Sequence, residues 1–126
     1  MFKTIAFVVA LAAAPGLAFA HGPTPAAQHG GQVEEAGENW VELVVKNTQV
    51  IAYVNDDQHK PVASARLGGK ATVLAGGKKQ DATLVASDGN SLTGTLVTPV
   101  SGKATAVISL RLDGKPAQVR FNITAP

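Results

Sequence analysis

The chain has no cysteine, and its only methionine is the initiator. Disulfides, thiolate chemistry and sulfur ligands for a metal are therefore excluded, so any bound metal ion must be held by nitrogen and oxygen donors. For copper, that donor set favours the cupric over the cuprous ion. The chain also lacks a basic cluster and a long acidic run, with 11 Lys and Arg against 9 Asp and Glu, which argues against a nucleic-acid partner.

Long apolar stretches are absent too, apart from one near the amino terminus. Residues 4–14 are nearly all apolar, follow the positive Lys3, and lead through Pro15-Gly16 to an Ala-x-Ala pattern ending at Ala20. This order is typical of a secretory signal peptide, and the apolar stretch is too short to span a bilayer. We therefore expect residues 1–20 to be a signal peptide cleaved after Ala20, which makes His21 the first residue of an exported protein with no membrane anchor.

Aromatic residues are scarce as well. After Ala20 the chain has three, Trp40, Tyr53 and Phe121, and we expect all three in a core otherwise built from Val, Leu, Ile and Ala. The 106 residues that follow the predicted cleavage site suit a single domain with one modest core.

The chain is rich in strand-forming segments separated by turns. Residues 21–28 contain two prolines and no apolar periodicity, which predicts a flexible amino-terminal arm ahead of a domain over residues 29–126. Trp40–Lys46 and Gln49–Asn55 alternate with a period of two and are predicted to form a hairpin around Asn47-Thr48. The other predicted strands are Gln32–Ala36, Lys70–Leu74, Gln80–Ala86, Ser91–Val97, Ala104–Leu112 and Pro116–Thr124.

The last two of these strands are joined by Asp113-Gly114, the best short hairpin signal in the chain. No helical repeat of apolar residues follows the predicted signal peptide. The pattern therefore predicts an all-β domain, an antiparallel, immunoglobulin-like β-sandwich of about seven strands, with a small barrel as the alternative.

No arrangement of residues typical of an enzyme is present. No serine lies in a Gly-x-Ser-x-Gly pattern, and the glycine-rich residues 68–70 and 76–79 lack the spacing and the helix of a phosphate-binding loop. Asp56-Asp57 lacks the further acids of a calcium loop and is predicted to be a solvated turn. We therefore predict that the protein is not an enzyme.

The histidines are the strongest candidates for a metal site. A free terminal His21 would offer both its α-amino group and its ring nitrogen to one cupric ion, and both groups can lose their protons near neutral pH. Pro23 has no N–H and so blocks further wrapping by the backbone. His29, or a carboxylate such as Glu34 or Glu35, would complete a square-planar set.

The predicted metal ligands are thus His21, His29 and Glu34, for Cu(II) or Zn(II). The alternative is that a histidine at the cleavage site is incidental and that the protein needs no cofactor. His59 is predicted to be a plain loop residue.

Several segments resemble a known group of proteins: residues 29–37 (HGGQVEEAG), 41–46 (VELVVK), 53–54, 60–62 (KPV) and 69–74 (GKATVL). They are similar to small periplasmic proteins of Gram-negative bacteria encoded with heavy-metal efflux systems, and to amino-terminal modules of the periplasmic adaptor subunits of those pumps. Residues 55–59 depart from the Asp-x-x-Gly-Lys-Pro form expected at that loop.

The resemblance implies a non-enzymatic periplasmic accessory of copper, zinc, cobalt or cadmium handling, with an efflux adaptor protein as a partner. Two functions follow as expectations. In the first, the protein binds or passes on a divalent metal ion near its mature amino terminus. In the second, it is a metal-free structural or interaction module whose edge strands pair with a partner.

Overall fold

The computed structural model describes residues 23–126, so the predicted signal peptide and His21 lie outside the described residues. The described chain consists of strands and one 3₁₀ turn, Ser64–Arg66. The strands are β1 (Gln32–Ala36), β2 (Asn39–Asn55), β3 (Leu67–Ala75), β4 (Lys78–Ala86), β5 (Ser91–Val100), β6 (Gly102–Leu112) and β7 (Lys115–Ala125). Over residues 23–126, no helix is long and apolar enough to cross a membrane.

All seven strands belong to one antiparallel sheet with the order β1-β2-β5-β4-β3-β6-β7. The two edge strands approach each other, because the end of β1 at Ala36 lines the same groove as Pro116 and Ala117 of β7. The sheet is therefore nearly closed on itself. The prediction of an all-β domain with seven antiparallel strands is confirmed.

The turn residues explain why sequence patterns locate the strands well. β1 has the predicted bounds, and the bounds of β3 to β7 differ from the prediction by three residues or fewer. Asp113 and Gly114 adopt φ of 51° and 81°, the left-handed conformations that a tight two-residue hairpin turn needs. They join β6 and β7 with Leu112 paired to Lys115, as predicted.

β2 is one extended segment of 17 residues, where the sequence predicts two strands and a turn. Its two halves nevertheless lie side by side. The His29 ring is 3.0 Å from the Glu42 carboxylate and its centroid is 3.6 Å from that of Tyr53. A straight strand would separate Glu42 from Tyr53 by roughly 36 Å. The chain must therefore reverse within β2, and Asn47, with φ of 55° at a register shift in the pairing with β5, lies at the predicted turn.

The core lies against one face of β2. Val41, Leu43 and Val45 are buried in a single apolar cluster that also includes Phe121, which has no exposed surface. Side chains alternate across a strand, so the residues between these three point away from the cluster. The prediction that Phe121 is a core residue is confirmed.

Trp40 is also buried, as predicted, with 5% of its surface exposed, although it lies outside the apolar cluster that contains Phe121. Tyr53 corrects the prediction, because it is only half-buried. Trp40 shares the opposite face of β2 with Glu42, and the segment preceding β1 covers that face. The alternation of side chains along β2 correctly predicts which residues share a face, but it does not show that both faces are covered by other parts of the chain.

Strands β4 and β5 are joined partly by a side chain. Backbone pairing links Val85 to Thr93 and Ala86 to Leu92. Further along, Gln80 Oε1 accepts hydrogen bonds from the backbone N–H groups of Val97 (3.0 Å) and Thr98 (3.1 Å), and Gln80 Nε2 donates to the Thr98 carbonyl (2.9 Å). One amide group therefore takes the place of a stretch of the ladder.

Candidate functional site

A cleft of about 330 Å³ lies on the face of β2 that points away from the core. We call it the outer cleft, defined by His29, Trp40, Glu42, Tyr53 and His59 together with residues 23–26 and 28. It brings together both histidines of the described chain and two of its three aromatic residues. The predicted arm, from Pro23 onward, forms one of its walls.

Glu42 is the centre of this arrangement. The residue is 6% exposed, and its carboxylate accepts four hydrogen bonds from the segment that precedes β1. Oε1 accepts from the backbone N–H of Gln28 (3.0 Å) and from His29 Nδ1 (3.0 Å). Oε2 accepts from the backbone N–H groups of His29 (2.7 Å) and Gly31 (2.9 Å). The carboxylate thereby fastens the chain before β1 onto the sheet.

These bonds also control the ionisation of Glu42. Burial raises the pKa of the carboxyl, but the hydrogen bonds from Gly31, the His29 ring, Gln28 and the His29 backbone outweigh it and lower the pKa below its ordinary value. Glu42 is therefore a carboxylate at neutral pH, although its surface is almost wholly buried.

The His-Gly-Gly sequence is what lets the backbone close around that carboxylate. Gly30 adopts φ of 76°, a left-handed conformation that side chains disfavour. A Cβ on Gly31 would lie 2.3 Å from the carbonyl oxygen of Leu43, so only glycine fits there. The sequence predicts His29 of this motif as a metal ligand, and the two glycines that follow it have a structural role in reaching Glu42.

His29 is held in one orientation with one tautomer. An ionised carboxylate only accepts hydrogen bonds, so Nδ1 of His29 must carry the proton that bonds to Glu42. Nε2 is then the ring nitrogen that the bond to Glu42 leaves for another partner. The ring lies flat on Tyr53, 3.6 Å between centroids and 3° between planes, and the side chain is 40% exposed. Metal-binding histidines are typically held by a carboxylate in this way.

His59 enters the cleft from the loop that follows β2. The Asp56 carboxylate organises this loop by accepting the backbone N–H groups of Gln58 (2.8 Å) and Lys60 (2.9 Å). These bonds, that of Lys60 first, lower the pKa of Asp56. His59 itself adopts φ of 65°, and its ring stacks on Trp40 at 6.1 Å between centroids and 20° between planes.

The predicted metal ligands are not all brought together. His21 lies outside the described residues. Glu34 pairs with Val41 in the register of β1 and β2, so it shares the face of a core residue, and it accepts a hydrogen bond from Gln32 (3.2 Å). It does not line the outer cleft with His29. Within residues 23–126, no cluster of three or more His, Asp or Glu side chains suited to a metal ion occurs.

Glu42 is the residue of the candidate site that the sequence patterns did not identify. The available signal was an acid in the middle of the apolar strand WVELVVK, on the same face as Trp40. Its partners, Gln28 to Gly31, lie 11 to 14 positions earlier in the chain, so no local spacing links them to it.

Comparison of the chain with protein-family models, with curated proteins and with solved structures finds no match. The geometry of the site itself is therefore the basis for its interpretation. The cleft holds the oriented, partly exposed ring of His29 on Tyr53 and the ring of His59 on Trp40.

Proposed function

We propose that this protein is a non-enzymatic periplasmic accessory of heavy-metal handling that binds or passes on Cu(II) or Zn(II) at the outer cleft. The observation that carries the proposal is the bond between Glu42 and His29 Nδ1, which leaves Nε2, the other ring nitrogen, to bind a metal ion. Imidazole nitrogen is a preferred ligand of both ions. The chain has no sulfur ligand to compete with it after residue 20.

His21 supplies the next nitrogen donors in this proposal. It precedes Pro23 by two positions, and Pro23 lines the outer cleft. Two residues extend by at most about 7 Å, so cleavage after Ala20 would leave the new α-amino group and the His21 ring within reach of the cleft. Glu34 is left out of the proposed ligand set because it shares the face of Val41.

We also propose the immunoglobulin-like sandwich as the description of the domain. Backbone pairing between β4 and β5 is the shortest in the sheet, with two residue pairs. That junction divides the strands into a group of β1, β2 and β5 and a group of β4, β3, β6 and β7, which supports two packed layers.

The test is calorimetric titration of protein that begins at His21 with Cu²⁺ and with Zn²⁺ at neutral pH. We expect binding at micromolar or lower Kd. Glu42→Gln should weaken it by about tenfold or more, because loss of a carboxylate that orients a metal-binding histidine has an effect of that size. In this variant an NH₂ group replaces one carboxylate oxygen and faces the two donors that this oxygen accepted. If the NH₂ group faces His29 Nδ1, that nitrogen must become the acceptor, and the ring proton then lies on Nε2.

Glu34→Gln is the matched control, since it makes the same chemical change on the other face of the sheet and should bind as the unmodified protein does. No measurable binding by the unmodified protein, or equal binding by Glu42→Gln, would contradict the proposal.

A metal-free interaction module is the second candidate. It is favoured by the exposure of large apolar side chains at the β4–β5 junction, where Val97 is 89% and Val85 is 56% exposed. Absence of metal binding, together with capture of this protein by a periplasmic efflux adaptor that Val97→Asp abolishes, would support that function instead.

A further inference from the structure

Two histidine rings stack on two aromatic side chains in the same cleft. His29 lies on Tyr53, and His59 lies on Trp40. Trp40 and Glu42 are two positions apart on β2, so their side chains leave the same face about 7 Å apart along the strand. Since His59 stacks on the first and His29 is bonded to the second, the two imidazoles line the same cleft.

The backbone at His59 is strained in order to present its ring there. The left-handed region is disfavoured for a residue with a Cβ, and less so for glycine or asparagine. His59 nevertheless occupies this position with φ of 65°. The hydrogen bonds of Asp56 to Gln58 and Lys60 fix the loop around it. Strain that the surroundings enforce in this way is concentrated at binding and catalytic sites.

The chemistry of the two rings is matched. Imidazole nitrogen is a ligand of both Cu²⁺ and Zn²⁺, and a metal–nitrogen bond is about 2.0–2.1 Å long, so two donors on one ion lie up to about 4 Å apart. Since Glu42 and Tyr53 hold the His29 ring in place, it is the exposed His59 side chain that must rotate toward His29 Nε2 to reach that separation.

We infer that His59 is the second imidazole ligand, with His29, of a divalent cation of the nitrogen-preferring class, such as Cu²⁺ or Zn²⁺. This inference rests on the proposed function and names a ligand that lies in the folded domain itself. The outer cleft then holds the ion between the His29–Tyr53 and His59–Trp40 ring pairs. A free amino terminus at His21 adds its nitrogen donors to a site that already has two.

Trp40 provides a direct readout, because it is the only tryptophan in the chain and its ring is 6.1 Å from that of His59. Cupric ion quenches indole fluorescence at short range. Binding at His59 should therefore quench the emission of the protein in a saturable way, with one ion per chain.

The experiment is a titration of the protein beginning at His21 with Cu²⁺ alone, followed by tryptophan fluorescence and by calorimetry, for the unmodified protein and two variants. His59→Asn tolerates the left-handed backbone but lacks the ring. His59→Phe keeps a ring to stack on Trp40 but lacks the nitrogen atoms. We expect both variants to raise the Kd by about tenfold or more, the effect expected for loss of a ligand-sphere residue. Thermal unfolding of each variant shows that it is folded.

Unchanged affinity in both variants would overturn the inference while leaving the proposed function in place. Weaker binding by His59→Asn with unchanged binding by His59→Phe would also overturn it, because the ring would then serve only to pack against Trp40. No quenching and no heat from the unmodified protein would refute the proposed function as well.

Discussion

The two faces of the first half of β2, before the reversal at Asn47, are covered in different ways. The inner face, with Val41, Leu43 and Val45, is covered by apolar side chains of the same sheet, Phe121 among them. The outer face, with Trp40 and Glu42, is covered by the segment before β1, which is fastened through hydrogen bonds to one carboxylate.

The interactions that cover the two faces differ in the substitutions that they tolerate. Apolar packing depends mainly on buried area and volume, so it tolerates changes that preserve both. The outer cover depends on the lone pairs of Glu42 and on two glycines that let backbone N–H groups reach it. A change of a few atoms at Glu42 should therefore loosen the outer face while leaving the inner one intact.

Loss of the inner cover should have the largest effect. Phe121 is fully buried, and truncating a buried phenylalanine costs about 3–5 kcal/mol. We expect Phe121→Ala to lower the Tm by about 12 °C or more in thermal unfolding. Val97→Ala, at an 89% exposed position, serves as control and should change the Tm only slightly. An unchanged Tm in Phe121→Ala would show that β7 does not contribute to the core.

Loss of the outer cover should have an intermediate effect. We expect Glu42→Gln to cost about 1–3 kcal/mol, because donors that bonded to a charged acceptor are left poorly paired. Hydrogen exchange should accelerate at the amides of Gln28, His29 and Gly31, which donate to Glu42, but not in β6 or β7. Equal acceleration throughout the sheet would mean that the two faces are not independent.

The outer cover should also depend on pH. The pKa of Glu42 is lower in the folded protein than its ordinary value, so its ionised form stabilises the fold. This contribution is fully present above the unfolded-state pKa of about 4.3 and is lost as the pH falls through the lower folded-state value. The Tm difference between the unmodified protein and Glu42→Gln should therefore be largest above about pH 5 and should shrink below about pH 4. A difference that is constant over this range would exclude Glu42 as the titrating group.

The smallest effect is expected at Tyr53, whose ring supports His29. Tyr53→Leu keeps an apolar surface but removes the stacked ring, and such pairs contribute about 0.5–1.5 kcal/mol beyond area. The Tm should fall by a few degrees, and Ile51→Leu, on the same strand, is a control that keeps both volume and polarity. A loss as large as that of Phe121→Ala would mean that Tyr53 belongs to the core after all.

The sequence predicts the strands well because their ends are set locally. Asp113-Gly114 defines a hairpin from two adjacent residues, and β1 ends where Gly37 begins a turn. The reversal within β2 at Asn47 is likewise predicted from a local pattern. The all-β class follows from the number of such segments.

The candidate site is harder to predict because it depends on contacts between distant parts of the chain. His29 could be singled out from its residue type, but its partner Glu42 is 13 positions away. Alternation placed Trp40 and Glu42 on one face, yet it could not say that a proline-rich segment would cover that face. The sequence predicts His59 to be an ordinary loop residue, because its φ and its contact with Trp40 exist only in the folded chain.

The amide of Gln80 has a consequence for how the sheet comes apart. Where backbone ladders join strands, opening requires many bonds to break together, whereas here the rotation of one side chain frees the backbone of Val97 and Thr98 at once. We therefore expect local opening of the folded protein to begin at this junction, by separation of β4 from β5.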